Sequence, residues 1–380
     1  MFKREAVAEF RHDPVGYLDR VFPAAGDAFW LPGRQLCVAE PGIAKAVLTN
    51  ASGLYEEHSD FFHTRRGVFG PRAVQVQIGR AGRMLVRSYL QARADGLAGS
   101  VRALAPASEW PDAGNQLVYR HLVDALVSPD SPIRLRRTID EVVERAVQAG
   151  ARERYSSLRR AVFRFRVGRE LVRAVEQRRA RDSGRSGEPA DLIDVVAAAP
   201  GPPAELAEVF LSFLFAIAGS VGFVFGWSVY LLGTNPRTAA EPAWVVQEAL
   251  RLWPIAWMLG RRPARAHVVA GIEVTPRDQV VVCPYLVHRH PRYWPDPNRF
   301  RPERWAESPD FQAFIPFGWG PHGCVAGSLS VQLVEVLLKI LVDGYDLTVV
   351  PKDHRPCVGP ALAPPPFALS LVPHNGFHAT

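Results

Sequence analysis

Residues 314–327 read FIPFGWGPHGCVAG and hold one nucleophilic side chain, Cys324. Phe317, Gly318, Gly320, Pro321 and Gly323 precede it, so the backbone there can press close to something flat. Past the cysteine, Leu329, Leu333, Val336, Leu337, Ile340 and Leu341 recur at helical spacing. Cys324 therefore sits at or just before a helix N-terminus. Unpaired N–H groups and the positive end of the helix dipole favour a thiolate there. The plain reading is a buried free cysteine. The sharper reading is a soft ligand for iron.

The other chemistry-bearing residues lie upstream. Glu248 and Arg251 stand three apart on one helix face, and FRPERW at 300–305 brings Arg304. Arg80, Arg83 and Arg87 share a face, which by itself reads as a solvated basic surface. His288 and His290 look like metal ligands, and structural hydrogen bonding is the simpler reading for both. Residues 209–232 carry no charge over 24 positions and contain Ala218, Gly219, Ser220, Val221, Gly222 and Phe223.

Phe317, Gly320 and His322, spaced seven, four and two before Cys324, together resemble the haem-binding loop of the cytochrome P450 superfamily. The resemblance runs over about 12–373 and is most specific over 205–330. It implies a mainly α fold, a triangular helical prism with a small β-sheet region, as one domain over 1–380. A β-rich region would lie at about 12–50 and the haem-binding core at about 205–345. It implies haem b with Cys324 as the iron ligand, Phe317 shielding the thiolate and Gly318 among the cofactor-binding residues. Ala218 and Gly219 would border the cofactor. His322, Arg83 and Arg261 would hold the propionates, with Arg262 as the alternative to Arg261. Glu248, Arg251 and Arg304 would form a buried structural triad. Val221, Phe223, Trp257 and Met258 would line the substrate pocket, and the Pro-rich segment would bring 363–367 near it.

Two departures stand out. The histidine often found four before the propionate arginine is Gly79 here. After Ala218-Gly219 the family has an acid and then a threonine, which organise water and deliver protons during oxygen activation. Here those positions are Val221 and Gly222. Proton delivery by a positioned group commonly contributes about 10²–10⁴-fold. Ser220 could substitute if the register slips by one or two, or the substrate could carry the donor. The alternatives are peroxide-driven, radical-coupling or redox-neutral chemistry, or a non-catalytic helper protein.

Composition sets the frame. With 380 residues the chain is long enough for one large core. Cys37, Cys283, Cys324 and Cys357 show no CxxC spacing, which argues against a disulfide framework or a zinc site and fits a reducing cytoplasm. Residues 1–14 are charged and lack the apolar core of a signal peptide. The net charge is +7, almost wholly from Arg; Lys occurs only at Lys3, Lys45, Lys339 and Lys352. No basic run interleaves with aromatics, so nucleic acid is not an expected partner. A small-molecule substrate and an electron donor such as a ferredoxin with its reductase are expected, the basic surface steering an acidic partner.

The positioning elements run in chain order. A helix over 15–22 leads to strands at 28–31 and 35–38 with a Pro32-Gly33 turn, then a helix opened by Pro41. Residues 51–79 read as an aromatic-rich loop, and 100–190 as Arg-rich helices followed by loops at 182–191 and 197–205. Hydropathy would allow 209–232 to span a membrane. No basic cluster flanks it, and its glycines suit close approach to a cofactor, so a helix buried all round is expected. Strands come next at 268–269, 272–274 and 280–283, with a Pro-rich hairpin at 358–373.

Overall fold

A computed structural model describes residues 4–147, 157–182, 188–236, 240–307 and 311–374. The Arg-rich run and the 182–191 loop therefore lie partly outside the described residues. The chain divides into two compact units, each assembled from separated stretches. The first takes residues up to Asp60, Thr234–Gly327 and Arg355–Ala363. The second takes Phe61–Gly233, Ser328–His354 and the residues from Pro364 on.

The first unit is built on a four-stranded sheet in the order Ala28–Leu31, Gln35–Val38, Gln279–Val282, Leu259–Arg261. The expected strand pair 28–31 and 35–38 forms with those bounds, and Leu36 sits opposite Trp30. Gln35–Val38 runs parallel to Gln279–Val282, a pairing across more than 240 residues. Side chains alternate across the pleat. Leu36, Val38, Val280 and Val282 face one core with Val47, Leu48 and Ile315. Phe29, Leu31 and Cys37 face a second with Leu18, Trp257, Tyr285 and Leu286. The sheet is thus covered on both faces, which suits its largely apolar strands. The expected strand 280–283 ends at Val282, because Cys283 gives way to Pro284, which opens a short helix.

The second unit is mostly helical. Its three-stranded antiparallel sheet runs in the order Tyr345–Pro351, Phe367–Pro373, Ala107–Trp110. The long apolar span begins earlier than the uncharged run suggests, at Pro203 after Pro202. It runs as an α-helix to Leu214, opens into a π-helical stretch over Phe215–Val221, and resumes as an α-helix over Gly222–Thr234. The expectation of burial all round holds for the last part, where every residue from Gly222 to Leu231 is buried. It fails in the π stretch, where Phe215 is 40% exposed. Pro203–Thr234 is long and apolar enough to cross a membrane, and 67% of its most apolar window is buried within the protein.

Candidate functional site

The cysteine loop is held by its own backbone. The Cys324 N–H donates to Phe317 O at 2.9 Å, and Gly323 N–H donates to Gly320 O at 3.1 Å. Gly318 and Gly320 both adopt left-handed φ, +71° and +70°. A side chain at Gly320 would lie 3.1 Å from the Thr49 backbone, so glycine is needed there for space as well as φ. The helix Gly327–Gly344 starts three residues past the cysteine, and a Cβ at Gly327 would strike the Phe317 ring at 2.8 Å. Phe317 thus fixes the loop twice, through its carbonyl and its ring.

Burial pushes the Cys324 thiol up from its ordinary value, and the N–H groups of Ala326 and Gly327 pull it down. The first effect wins, although the residue is exposed on one side. This corrects the expectation of a thiolate from the helix end alone. Desolvation outweighs two N–H groups unless a cation shares the sulfur's charge.

Two residues expected to hold carboxylates meet in this unit. Arg261 and His322 line one cavity of about 240 Å³ together with Tyr55, Glu57 and His58. Arg261 is 4% exposed and already paired: its Nη2 donates to Asp60 Oδ2 at 3.0 Å and its Nη1 to Gly260 O at 2.8 Å. His58 Nε2 lies 2.9 Å from Asp60 Oδ1. Burial works to raise the Asp60 carboxyl, but His58 and Arg261 together hold it below the usual carboxylate range. His58 and Asp60 escaped the sequence reading, because nothing local links them to an arginine two hundred residues on. Arg262, the alternative, points to solvent, 3.9 Å from Glu56.

Beneath the loop, Glu248 forms the expected triad. Arg251 Nε and Nη2 donate to its two oxygens at 2.9 and 2.8 Å, and Arg304 Nε donates to Oε1 at 3.1 Å. Trp305 Nε1 and the Arg301 N–H add bonds at 3.1 Å. Glu248 and Arg251 are fully buried and Arg304 nearly so. His288 is structural, as expected. Its Nε2 accepts the Ile315 N–H at 2.8 Å, so Nδ1 carries the proton and donates to Arg251 O at 3.2 Å. His290 Nε2 lies 3.0 Å from Asp27 Oδ1.

Trp257 and Met258 sit in the first unit's second core. Trp257 is 7% exposed and its indole N–H donates to Gly359 O at 3.0 Å, so its polar edge serves packing.

The remaining candidates belong to the second unit. Arg80, Arg83 and Arg87 form an exposed face of the helix Arg72–Ala92, and Arg83 Nη2 reaches Ser328 Oγ at 3.5 Å. Ala218, Gly219, Val221 and Phe223 are buried and Ser220 is half-buried. Gly222 turns toward the helix Asp112–Leu126. A Cβ there would lie 2.6 Å from Asn115 Nδ2 and 2.7 Å from Asn115 Cα. The position that carries threonine in the family thus has no room for one. One turn on, a Cβ at Gly226 would lie 3.0 Å from Pro364, at the start of the Pro-rich segment's contact with this helix.

These features have counterparts. The cytochrome P450 family model matches residues 243–370, from the triad helix through the cysteine loop to the last strand. That match places residues 243–370 in the cytochrome P450 superfamily. The chain is 35% identical over 140 residues to cytochrome P450 3A40 of Oryzias latipes, 34% of this chain and 28% of that protein. It is 38% identical over 117 residues to corytuberine synthase of Coptis japonica, 29% of this chain and 24% of that protein. The chain thus spans under a third of the length of these curated relatives. Solved P450 structures match far more of it at low identity. A cyanobacterial CYP120A1 with bound retinoic acid gives a TM-score of 0.74 at 18% identity, over 96% of both chains. The open form of EryK from S. erythraea gives 0.71 at 18%, over 97% of this chain and 96% of that one. The P450 fold, mainly helical with small sheets, is therefore the fold of this chain.

The residues of the first unit fit a haem. Two N–H groups converge on a single sulfur, a glycine-framed loop leaves the backbone close, and a guanidinium and an imidazole share a polar cavity.

Proposed function

We propose that this P450 is a haem-thiolate oxidoreductase of the monooxygenase type, acting on a small or medium organic molecule. The observation that carries the reading is the Cys324 loop, in which Phe317 fixes the backbone and the Ala326 and Gly327 N–H groups converge on one thiol. Haem b, when bound, supplies oxygen activation and electron transfer. The chain's own residues supply the rest. Cys324 would hold the iron, and its N–H partners would spread the sulfur's charge. Arg261 and His322 would hold propionate, with Arg83 as a further candidate. Phe317 would cover the sulfur, and Val221 and Phe223 would exclude water from the substrate.

The finer assignments have lighter support. Electrons would come from a ferredoxin with its reductase, or a similar donor; the net positive charge supports an acidic partner. Cys37 and Cys283 are free, buried and in hydrogen-bond contact, which supports a reducing cytoplasm. Burial of most of the apolar window of Pro203–Thr234 supports a core helix, with no membrane partner. A tailoring step in bacterial natural-product biosynthesis is the role we assign from the resemblance.

A reduced, carbon monoxide-treated sample tests the reading. The red-shifted Soret band of a thiolate-ligated carbonyl complex is expected, lost in Cys324→Ser. A purified protein without haem would favour the helper reading instead.

The crowding of Gly222 by Asn115 favours a second reading, in which the ordinary proton route is replaced. Parallel turnovers with reduced partner plus O₂ and with H₂O₂ separate the two. Faster product formation with H₂O₂ supports peroxide-driven chemistry.

A further inference from the structure

Asn115 lies in the first turn of the helix Asp112–Leu126 and is fully buried. Its Nδ2 donates to two carbonyls of the π stretch, Ala218 O at 2.6 Å and Gly219 O at 3.0 Å. Its Oδ1 is buried and has no hydrogen-bond partner among the described residues. The amide orientation follows from its partners, since the reverse would set its oxygen against two carbonyl oxygens. The Gly222 N–H closes the π stretch on Gly219 O, and Gly222 itself is pressed against Asn115.

A π stretch widens the turn and shifts the register of the helix beyond it. Its carbonyls, shifted off the regular ladder, can take donors from outside it. The Asn115 amide supplies them from a neighbouring helix. An apolar side chain would fill the same space but leave both carbonyls short of that donor. A buried amide with one end unsatisfied is costly. Its retention is explained if the donating end holds the turn and the free acceptor remains for a water or substrate hydroxyl.

We infer that Asn115 is a positioning residue, whose carboxamide holds the Phe215–Val221 turn open and thereby fixes where Ser220 presents its hydroxyl. The link to chemistry rests on the haem reading, in which Ser220 stands in for the missing acid and threonine. The clamp itself rests only on the geometry above.

The test uses the full chain loaded with haem, as wild type, Asn115→Leu, Asn115→Ala and Asn115→Asp. Hydrogen–deuterium exchange is followed over 215–226, and the ferric absorption spectrum is recorded against pH. Asn115→Leu and Asn115→Ala are expected to speed exchange in this segment tenfold or more, with the other helices of the unit unchanged, and to alter the ferric spin-state balance. Asn115→Asp carries the sharper expectation. Protonated, its carboxyl donates to one carbonyl and the segment behaves as wild type; ionised, it has no donor and the segment behaves as in Asn115→Leu. Its exchange and spectrum should therefore titrate, with wild-type behaviour at the low-pH end. Exchange within twofold of wild type in all three variants, or no titration peculiar to Asn115→Asp, would overturn the clamp. Absence of any Soret band in the wild type would instead remove the haem reading, and the exchange data would still decide the clamp.

Discussion

His288 Nε2 accepts the backbone N–H of Ile315 at 2.8 Å, while its Nδ1 donates to Arg251 O. One buried imidazole therefore joins the Glu248 triad to the segment that enters the cysteine loop, where Gly318 N–H in turn donates to Ile315 O at 3.1 Å. The triad is a support whose shape reaches Cys324 through hydrogen bonds of fixed polarity.

This link has a pH signature. Burial, aided by the Arg251 charge, lowers the His288 pKa to about 3 from its ordinary 6.5. A base with a depressed folded pKa binds a proton more readily when unfolded, so between about pH 6.5 and 3 its neutral form loses stability as pH falls. His288→Gln should flatten that acid limb in urea melts across the window. At neutral pH it should cost about 1–3 kcal/mol through the unpaired Ile315 N–H. An unchanged acid limb would show that His288 titrates normally.

Glu248 accepts five hydrogen bonds, two of them from Arg251. Glu248→Gln keeps the shape but strands the buried charges of Arg251 and Arg304. Breaking a buried pair this way costs about 3–5 kcal/mol. Denaturant unfolding should show that loss, and haem retention should fall with it. A loss below about 1 kcal/mol, the range of exposed pairs, would mean that solvent reaches the triad.

Gly222→Thr would restore the family's alcohol in name only. Its Cβ would meet Asn115 at 2.6–2.7 Å, partly against backbone, so the helices must separate. Overpacking of this kind costs about 1–3 kcal/mol. Thermal unfolding should drop and turnover should not rise. A variant with wild-type stability and faster turnover would show that Gly222 faces the substrate after all.

Arg261 shares its guanidinium with Asp60, so substitutions at the two residues should differ in their effect on haem retention. Arg261→Leu should speed haem loss to an excess of apomyoglobin. Asp60→Asn should slow it or leave it unchanged, since the guanidinium is then free for propionate. Equal acceleration by both would mean that the pair itself, rather than Arg261, holds the site together.

Much of this was legible in the sequence because it is local. The strand pair 28–31 and 35–38 follows from short apolar runs flanking the Pro32-Gly33 turn, and the cysteine loop from glycines at fixed offsets. The triad was legible through the resemblance. Partners such as Asp60 for Arg261 and Trp305 for Glu248 were not, since long-range contacts leave no periodic trace. The π stretch was hidden for a different reason: Phe215–Val221 is apolar and helix-compatible, and its register depends on Asn115, about a hundred residues away. The Cys324 thiol shows the remaining limit. A helix N-terminus predicts the sign of one effect, and the competing desolvation depends on packing.

The most direct measurement is X-ray absorption at the iron edge of the purified, haem-loaded protein. One sulfur bonded to iron is expected, absent when Cys324→Ser is measured the same way. An iron bound only by nitrogen and oxygen in the wild type, with Cys324 still titratable by a thiol reagent, would contradict haem-thiolate ligation.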